Sequence, residues 1–429
     1  MEWHGIDHGF ARVSHPTSRV IGKISLPGSK SESNRLLILS AVFSGTFRVD
    51  GLSTAEDTNL LKDILTQNLK EGTIDCRMAG TTLRFLTAYY AARPGCRVVL
   101  TGARRMQHRP IGPLVDALRQ IGADIEYLSK PGYPPLLIRG THLSGGQVEV
   151  DGSTSSQFIS ALMLIGCALP DGLRICIKGA PVSVPYIYLT AASMWQVGLR
   201  VDVRLPEILL YPSRPKKLTV RVEPDWSSAS YWYLIALLSR KAEIYLPGLR
   251  LPSMQGDAAV RGYFEALGVE TVFLGSGIRL RKSSVSGCDF FRADLRNNPD
   301  LAQTLAVALS ASGRPGLLTG LDTLPLKETD RIAALHNELS KYAVNVRSEN
   351  HSLEIRGKIQ PVTHMQISTY GDHRMAMAFA PIGLLYPVEI QNPGVVSKSY
   401  PTFWADLRRV GFEVTPFGGI AGHMKVPQV

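Results

Sequence analysis

Two carboxylates and a scattered set of cations are the residues of this chain whose types and placement could do chemistry together. Asp300 follows the turn Asn297-Asn298-Pro299, and Glu328 lies in Lys327-Glu328-Thr329-Asp330-Arg331. Lys30, Arg35, Arg109, Arg331, Arg374 and Lys398 all stand at or beside turns that lead into helical segments. In Leu26-Pro27-Gly28-Ser29-Lys30-Ser31-Glu32-Ser33-Asn34-Arg35, Pro27-Gly28 stops a strand, and Ser29 or Ser31 can cap the helix that follows. A helix N-terminus offers free N–H groups and a positive dipole end to an anion. The stretch lacks the spacing of a P-loop.

Further turns repeat the pattern. In Met78-Ala79-Gly80-Thr81-Thr82-Leu83-Arg84, Gly80 allows close approach and Thr81 can cap. Arg109 precedes Pro110 and is held extended. Asp151-Gly152-Ser153-Thr154-Ser155-Ser156-Gln157-Phe158 places a hydroxyl cluster before an apolar helix, and Ser183-Val184-Pro185-Tyr186 is a fourth polar turn. Asp372-His373-Arg374 precedes another apolar helix, and Lys398 lies in Ser397-Lys398-Ser399-Tyr400-Pro401. Glu328 and Arg331 share a helix face; as a plain surface pair they would contribute under ~1 kcal/mol. Many cations with few acids suit polyanionic substrates joined by proton transfer.

The elements that must position these turns recur. Five amphipathic helical segments end at Gly122, Gly198, Gly268, Ala343 and Gly411, each running directly into a short alternating strand. The intervals are 76, 70, 75 and 68 residues, and a segment ending at Asn68 makes a sixth, earlier copy. The period is too long for a solenoid, so six small α/β units packed into compact domains are expected.

Composition narrows the partners. The chain has 429 residues, 45% hydrophobic and 19% charged, with a net charge of +11. The basic residues come singly or in pairs and no ribonucleoprotein or zinc-finger pattern occurs, which argues for anionic small molecules and against nucleic acid. Cys76, Cys96, Cys167, Cys176 and Cys288 are scattered, which suits a reduced compartment with most of them buried, Cys96 standing in a loop. No metal spacing, no apolar h-region at the N-terminus and no run of ~18 apolar residues are seen. A cytoplasmic monomer without metal or cofactor is expected.

Together these motifs resemble the enolpyruvyl transferase family, and within it the branch acting on shikimate 3-phosphate. The resemblance rests on Pro27-Gly28-Ser29-Lys30-Ser31-x-Ser33-Asn34-Arg35, Ala79-Gly80-Thr81-x-x-Arg84, Arg109-Pro110-Ile111-Gly112, Asp151-Gly152-Ser153-x-Ser155-Ser156-Gln157-Phe158, Met254-Gln255-Gly256-Asp257, Lys327-Glu328-Thr329-Asp330-Arg331 and Asp372-His373-Arg374-Met375-Ala376-Met377. It implies a two-domain inside-out α/β barrel built from six copies of a βαβαββ unit, three per domain. It also implies two chain crossings, near residues 28 and 224, giving one domain of residues 28–223 and another of residues 1–27 plus 224–429. The substrates implied are shikimate 3-phosphate and phosphoenolpyruvate. The first would be held by Lys30, Ser31, Arg35, Ser155, Ser156, Gln157, Ser183, Tyr186, Asp300 and Lys327. The second would be held by Lys30, Gly80, Arg109, Gln157, Glu328, Arg331, Arg374 and Lys398. Asp300 would take the proton of the 5-hydroxyl, and Glu328 with Lys30 would protonate the methylene carbon. Cations from both halves should repel across an empty cleft and close on an anionic ligand.

The chain departs from the family's pattern in places. Glu32 is an acid inside an anion motif, and helix geometry lets it point away from Lys30. Met78 and Phe85 stand where Asn and Pro are usual, Pro224-Asp225-Trp226 replaces Gly-Asp-small, and Thr323-Leu324-Pro325 replaces Asn-x-Arg, removing an amide contact. The sister activity on UDP-N-acetylglucosamine uses Lys-Asn and a loop Cys; here the pair is Lys30-Ser31 and residues 102–109 hold no Cys.

Overall fold

In the computed structural model, which describes residues 9–283, 288–349 and 351–417, the repeat marked by the hinge residues is a small sheet. All six hinges take the left-handed conformation that ends a helix and turns the chain back: Asn68 (φ 52°), Gly122 (94°), Gly198 (87°), Gly268 (100°), Ala343 (60°) and Gly411 (98°). Glycine does this without a Cβ clash, while Ala343 carries about 1–2 kcal/mol of strain.

The strands Glu71–Asp75, Arg97–Thr101, Leu136–Arg139 and Asp124–Tyr127 lie side by side in that order. The first pair is parallel and the other two pairs are antiparallel. A parallel pair needs a crossover helix, here Gly80–Ala91, whereas the antiparallel pair Asp124–Tyr127 and Leu136–Arg139 is joined by a plain connection. Four more sheets repeat this order, starting from Gly146–Asp151, Arg19–Lys23, Phe291–Asp294 and Gln366–Ile367. In the last of them the N-terminal strand Phe10–Ser14 fills the third place, between Val388–Gln391 and Glu413–Phe417. The sixth copy is reduced: among the described residues Arg48–Asp50 pairs only with Thr219–Arg221. Its hairpin is absent because the helix Glu56–Gln67 passes through Asn68 straight into Glu71–Asp75 of the next unit.

Two hydrophobic cores result. One is built from residues 36–222 and the other from residues 11–26 and 226–414. Each encloses helices buried all round, such as Ser156–Gly166 in the first and Trp226–Leu238 in the second. The chain leaves one core for the other between residues 26 and 36 and between residues 222 and 226, and the two points adjoin. There Ser29 N donates to Glu223 O (2.8 Å) and Asp225 N donates to Pro27 O (2.9 Å). Cys96 stands in the loop before Arg97–Thr101 but is buried, and Cys76, Cys96, Cys167, Cys176 and Cys288 are all free. No helix among the described residues is long and apolar enough to cross a membrane. Residues 1–8, on which the reading of the N-terminus rests, lie outside the described residues.

Candidate active site

The helix starts singled out in the sequence meet in one pocket. From the first half come the N-termini of Lys30–Val42, Gly80–Ala91, Ser156–Gly166 and Val184–Gln196. From the second come the 3₁₀ turn Pro299–Leu301 and the starts of Arg331–Ser340 and His373–Phe379. Local chemistry ends the helices where the pocket needs them. Ser29 Oγ accepts from Glu32 N (3.4 Å), Ser155 Oγ from Gln157 N (3.3 Å), Asp330 Oδ1 from Ile332 N and Ala333 N (both 3.1 Å), and Asp372 Oδ1 from Arg374 N (2.8 Å). Thr81 departs from expectation. The helix is capped at Ala79 without a side-chain bond, and Thr81 Oγ1 accepts from Gln157 Nε2 (3.1 Å). Asp300 lies in the 3₁₀ turn, two residues before the start of the α-helix Ala302–Ser312.

Lys30, Ser31, Arg35, Gly80, Arg109, Ser155, Ser156, Gln157, Ser183, Tyr186, Asp300, Lys327, Glu328, Arg331 and Arg374 all line the pocket. Lys398 does not. It ends a 3₁₀ helix and its Nζ donates to Gly371 O (3.2 Å), one residue before the Asp372 cap. The lining also contains Asp57, Arg84, Thr323 and His373, to which the sequence reading gave no role. Arg84 stood in a quoted motif, but nothing local marks Asp57.

The two carboxylates are held by cations. Asp300 Oδ1 meets Arg331 Nη1 at 2.9 Å, and its Oδ2 meets Arg374 Nη2 at 2.9 Å and the Tyr186 hydroxyl at 3.0 Å. Arg331 also donates to Glu328 Oε2 (3.0 Å) and to Asp372 Oδ2 (2.8 Å), so one guanidinium holds three carboxylates. It is 1% exposed, which overturns the reading of Glu328–Arg331 as a surface pair. Burial alone would raise both carboxyls, but the cations outweigh it. Arg374, Lys327 and Arg331 pull Asp300 well below the ordinary range, and Arg331 and Arg109 do the same for Glu328. Burial lowers Lys327 to about 8 despite Asp300. Lys30 Nζ meets Asp57 Oδ2 at 2.9 Å, and this raises its pKa against the effect of burial. His373 is 2% exposed and neither ring nitrogen has a hydrogen-bond partner among the described residues; burial, Lys30 and Arg374 keep it neutral.

The other cations have neutral partners. Arg35 donates to Thr190 Oγ1 (2.7 Å), Ser31 O (2.9 Å), Ser160 Oγ (3.2 Å) and Tyr186 O (3.3 Å). Phe85, where the resemblance expects Pro, sets its ring 5.4 Å from this guanidinium, and Tyr186 sets another at 5.7 Å. Arg84 donates to Gln157 Oε1 (3.0 Å) and Pro110 O (3.1 Å), while Nε and Nη1 of the buried Arg109 have no partner among the described residues. Gly80 makes room for both: a Cβ there would lie 2.7 Å from Nη1 of Arg84 and of Arg109. Glu32 is turned out of the pocket onto the second crossing, where Oε2 accepts from Glu223 N (3.0 Å).

The whole chain, not only the site, has relatives. The family described as EPSP synthase (3-phosphoshikimate 1-carboxyvinyltransferase) matches residues 14–71 and 66–407. A 3-phosphoshikimate 1-carboxyvinyltransferase of Bacteroides fragilis strain YCH46 is 43% identical over 405 residues, covering 92% of this chain and 97% of its own. One of Actinobacillus pleuropneumoniae serotype 5b is 35% identical over 426 residues, covering 92% and 98%. Among solved structures, an EPSP synthase of Acinetobacter baumannii superimposes with a TM-score of 0.75 at 21% identity, covering 95% of this chain and all of the other. The enolpyruvyl transferase NikO of Streptomyces tendae gives 0.69 at 14%, covering 95% and 99%. At those identities the structures establish the fold; the family match and the curated relatives establish that this chain belongs to the EPSP synthase family, the enolpyruvyl transferases of the shikimate pathway in aromatic amino acid biosynthesis.

Proposed function

We propose that this pocket carries out the family's reaction, the transfer of the enolpyruvyl group of phosphoenolpyruvate to the 5-hydroxyl of shikimate 3-phosphate, with the residues in the following roles. Shikimate 3-phosphate is held by Lys30, Ser31, Arg35, Ser155, Ser156, Gln157, Ser183, Tyr186, Asp300 and Lys327. Thr323, whose buried hydroxyl has no partner among the described residues, stands near the amide contact that the sequence lacks. Phosphoenolpyruvate is held by Lys30, Gly80, Arg109, Gln157, Glu328, Arg331 and Arg374. Lys398 joins only if its bond to Gly371 gives way. Fork-shaped guanidinium groups suit a phosphate and a carboxylate.

Asp300 takes the 5-hydroxyl proton as that oxygen attacks C2 of phosphoenolpyruvate, and Glu328 with Lys30 delivers a proton to C3. The tetrahedral ketal phosphate then loses phosphate from C2 and a proton from C3. The depressed carboxyls explain why anions must bind first. Asp300 is a weak base while Arg374 and Arg331 serve it alone. Substrate anions that share those cations raise its proton affinity, and charge placed on Arg109 does the same for Glu328. The halves containing the two cores act as two domains, residues 28–223 and residues 1–27 with 224–429. One chain supplies the whole pocket, which supports a monomer as the working unit.

The observation that carries the reading is the convergence of Asp300 and Glu328 with cations from both halves in one pocket. Phosphate release from phosphoenolpyruvate that depends on shikimate 3-phosphate tests it. No release at saturating substrates would overturn it.

A further inference from the structure

The first anion motif contains an acid that the reaction does not use. Glu32 lies in the first turn of Lys30–Val42 and is 4% exposed, yet it is outside the pocket lining. A buried carboxylate is costly unless hydrogen-bonded. Its Oε2 accepts from the backbone N–H of Glu223 (3.0 Å), and the nearby Gln196 side chain favours its charged form.

Glu223 is the residue before the second crossing, and its own carboxylate is filled from the other half. Oε1 accepts from Trp226 Nε1 (2.9 Å) and Arg250 N (2.8 Å), and Oε2 from Ser253 Oγ (2.7 Å) and Gln255 Nε2 (3.2 Å). Two backbone bonds, Ser29 N to Glu223 O and Asp225 N to Pro27 O, tie the crossings to each other. Glu32 adds the side-chain tie, and it does so from the helix turn that carries Lys30, Ser31 and Arg35.

We propose that Glu32 is a positioning residue: by accepting the Glu223 N–H it fixes the register of the two crossings, and so places Lys30 and Arg35 against Asp300, Glu328 and Arg374 of the other half. The position requires an acceptor rather than a charge. Burial already pushes this carboxyl above its ordinary range. A glutamine oxygen can take the Glu223 N–H, and its amide can face a flipped Gln196. The catalytic consequence rests on the reaction assigned above, because a misplacement of about 1 Å costs on the order of 10²-fold in rate.

The test compares the parent with Glu32→Gln and Glu32→Leu, each checked as folded by circular dichroism. The first readout is hydrogen exchange at the Ser29 and Asp225 amides. The second is kcat/KM for both substrates. Glu32→Gln should match the parent within about twofold in both, since the acceptor is kept. In Glu32→Leu the buried Glu223 N–H loses its acceptor. The two crossing amides should then exchange about tenfold faster while amides of both cores are unchanged, and kcat/KM should fall about 10- to 100-fold for both substrates. Parent-like exchange or parent-like kinetics in Glu32→Leu would overturn the proposal, as would a Glu32→Gln enzyme impaired as much as Glu32→Leu. Should Glu32→Leu not fold, Glu32→Ser takes its place under the same criteria. If the parent itself releases no phosphate, the assigned reaction fails, and the exchange readout alone decides whether Glu32 fixes the crossings.

Discussion

The two walls of the pocket handle charge in opposite ways. On the wall from the first half, Arg35, Arg84 and Arg109 have no carboxylate ion-pair partner among the described residues, and only Lys30 is paired, with Asp57. On the wall from the second half, Arg331 is paired with Asp300, Glu328 and Asp372 and Arg374 with Asp300, although Arg374 Nε has no partner among the described residues. Burial lowers Arg35 to about 10 and Arg84, with Arg109 beside it, to about 9; each is a cation held in a dry place without a counterion. Such a wall gains most when an anion arrives. The compensated wall gains little net charge from a ligand, but its cations can be shared, and sharing is what frees a carboxylate for proton transfer. The uncompensated wall is suited to binding and the compensated wall to chemistry.

The largest effect expected comes from the carboxylates. Asp300→Asn and Glu328→Gln keep shape but cannot move a proton, so turnover should fall about 10²–10⁴-fold with substrate binding retained. Deuterium exchange into the phosphoenolpyruvate methylene should fall with turnover in Glu328→Gln. A Glu328→Gln enzyme within a few-fold of the parent would place the chemistry elsewhere.

Next in size is a contrast between arginines. Arg331→Met leaves three carboxylates without their shared cation, and should cost about 3–5 kcal/mol of stability in a denaturant titration. Arg109→Met removes a cation that no carboxylate holds. Its stability should equal or exceed the parent's, while kcat/KM for phosphoenolpyruvate drops about 10–10²-fold. Equal destabilisation by both substitutions would erase the distinction between the walls.

A pH dependence sharpens it. Lys327 sits at about 8 in the folded chain against an ordinary 10.5. Between those values the unfolded chain binds more protons, so this lysine's contribution to stability rises with pH across that window. Anion binding needs its charged form. Affinity for shikimate 3-phosphate, followed by calorimetry, should weaken above pH 8 by up to about tenfold per unit. Lys327→Met should bind more weakly at pH 7 and lose that slope.

The smallest effect expected is at Gly80. In Gly80→Ala the new methyl meets the ends of two flexible side chains rather than backbone. Arg84 and Arg109 can shift by a few tenths of an ångström, so a several-fold rise in KM for phosphoenolpyruvate with little change in stability is expected. An unchanged KM would mean that neither guanidinium touches that substrate.

How much of this was legible in the sequence depends on the range of the forces involved. The helix-ending residues from Asn68 to Gly411 were legible, because a left-handed helix end selects Gly or Asn by local sterics in five of the six units, Ala343 being the exception. The helix starts at Lys30, Ser156 and Arg331 were legible for the same reason, since a cap bond spans two or three residues. The motifs shared with the enolpyruvyl transferases then extended the reading to the substrates. Thr81 shows where local rules stop. It had the chemistry of a cap, but Gln157, 76 residues away, claimed its hydroxyl.

Which charges meet was decided by the tertiary structure alone. The expectation that cations repel across an empty cleft took each as bare, which describes Arg35 and Arg109 but not Lys30, Arg331 or Arg374. Instead Asp57 neutralises Lys30, Asp372 shares Arg331, and Tyr186 of one half bonds Asp300 of the other. Likewise the sequence marked Glu32 as out of place, but only the fold brought Glu223, 191 residues distant, to its carboxylate. By itself the sequence determined the repeated unit, the helix ends and the inventory of acids and bases, because each follows from steric and hydrogen-bond preferences over a few residues. The pairing of those acids and bases, and with it each group's proton affinity, depends on distances of about 3 Å between segments far apart in the chain, and burial makes those distances count.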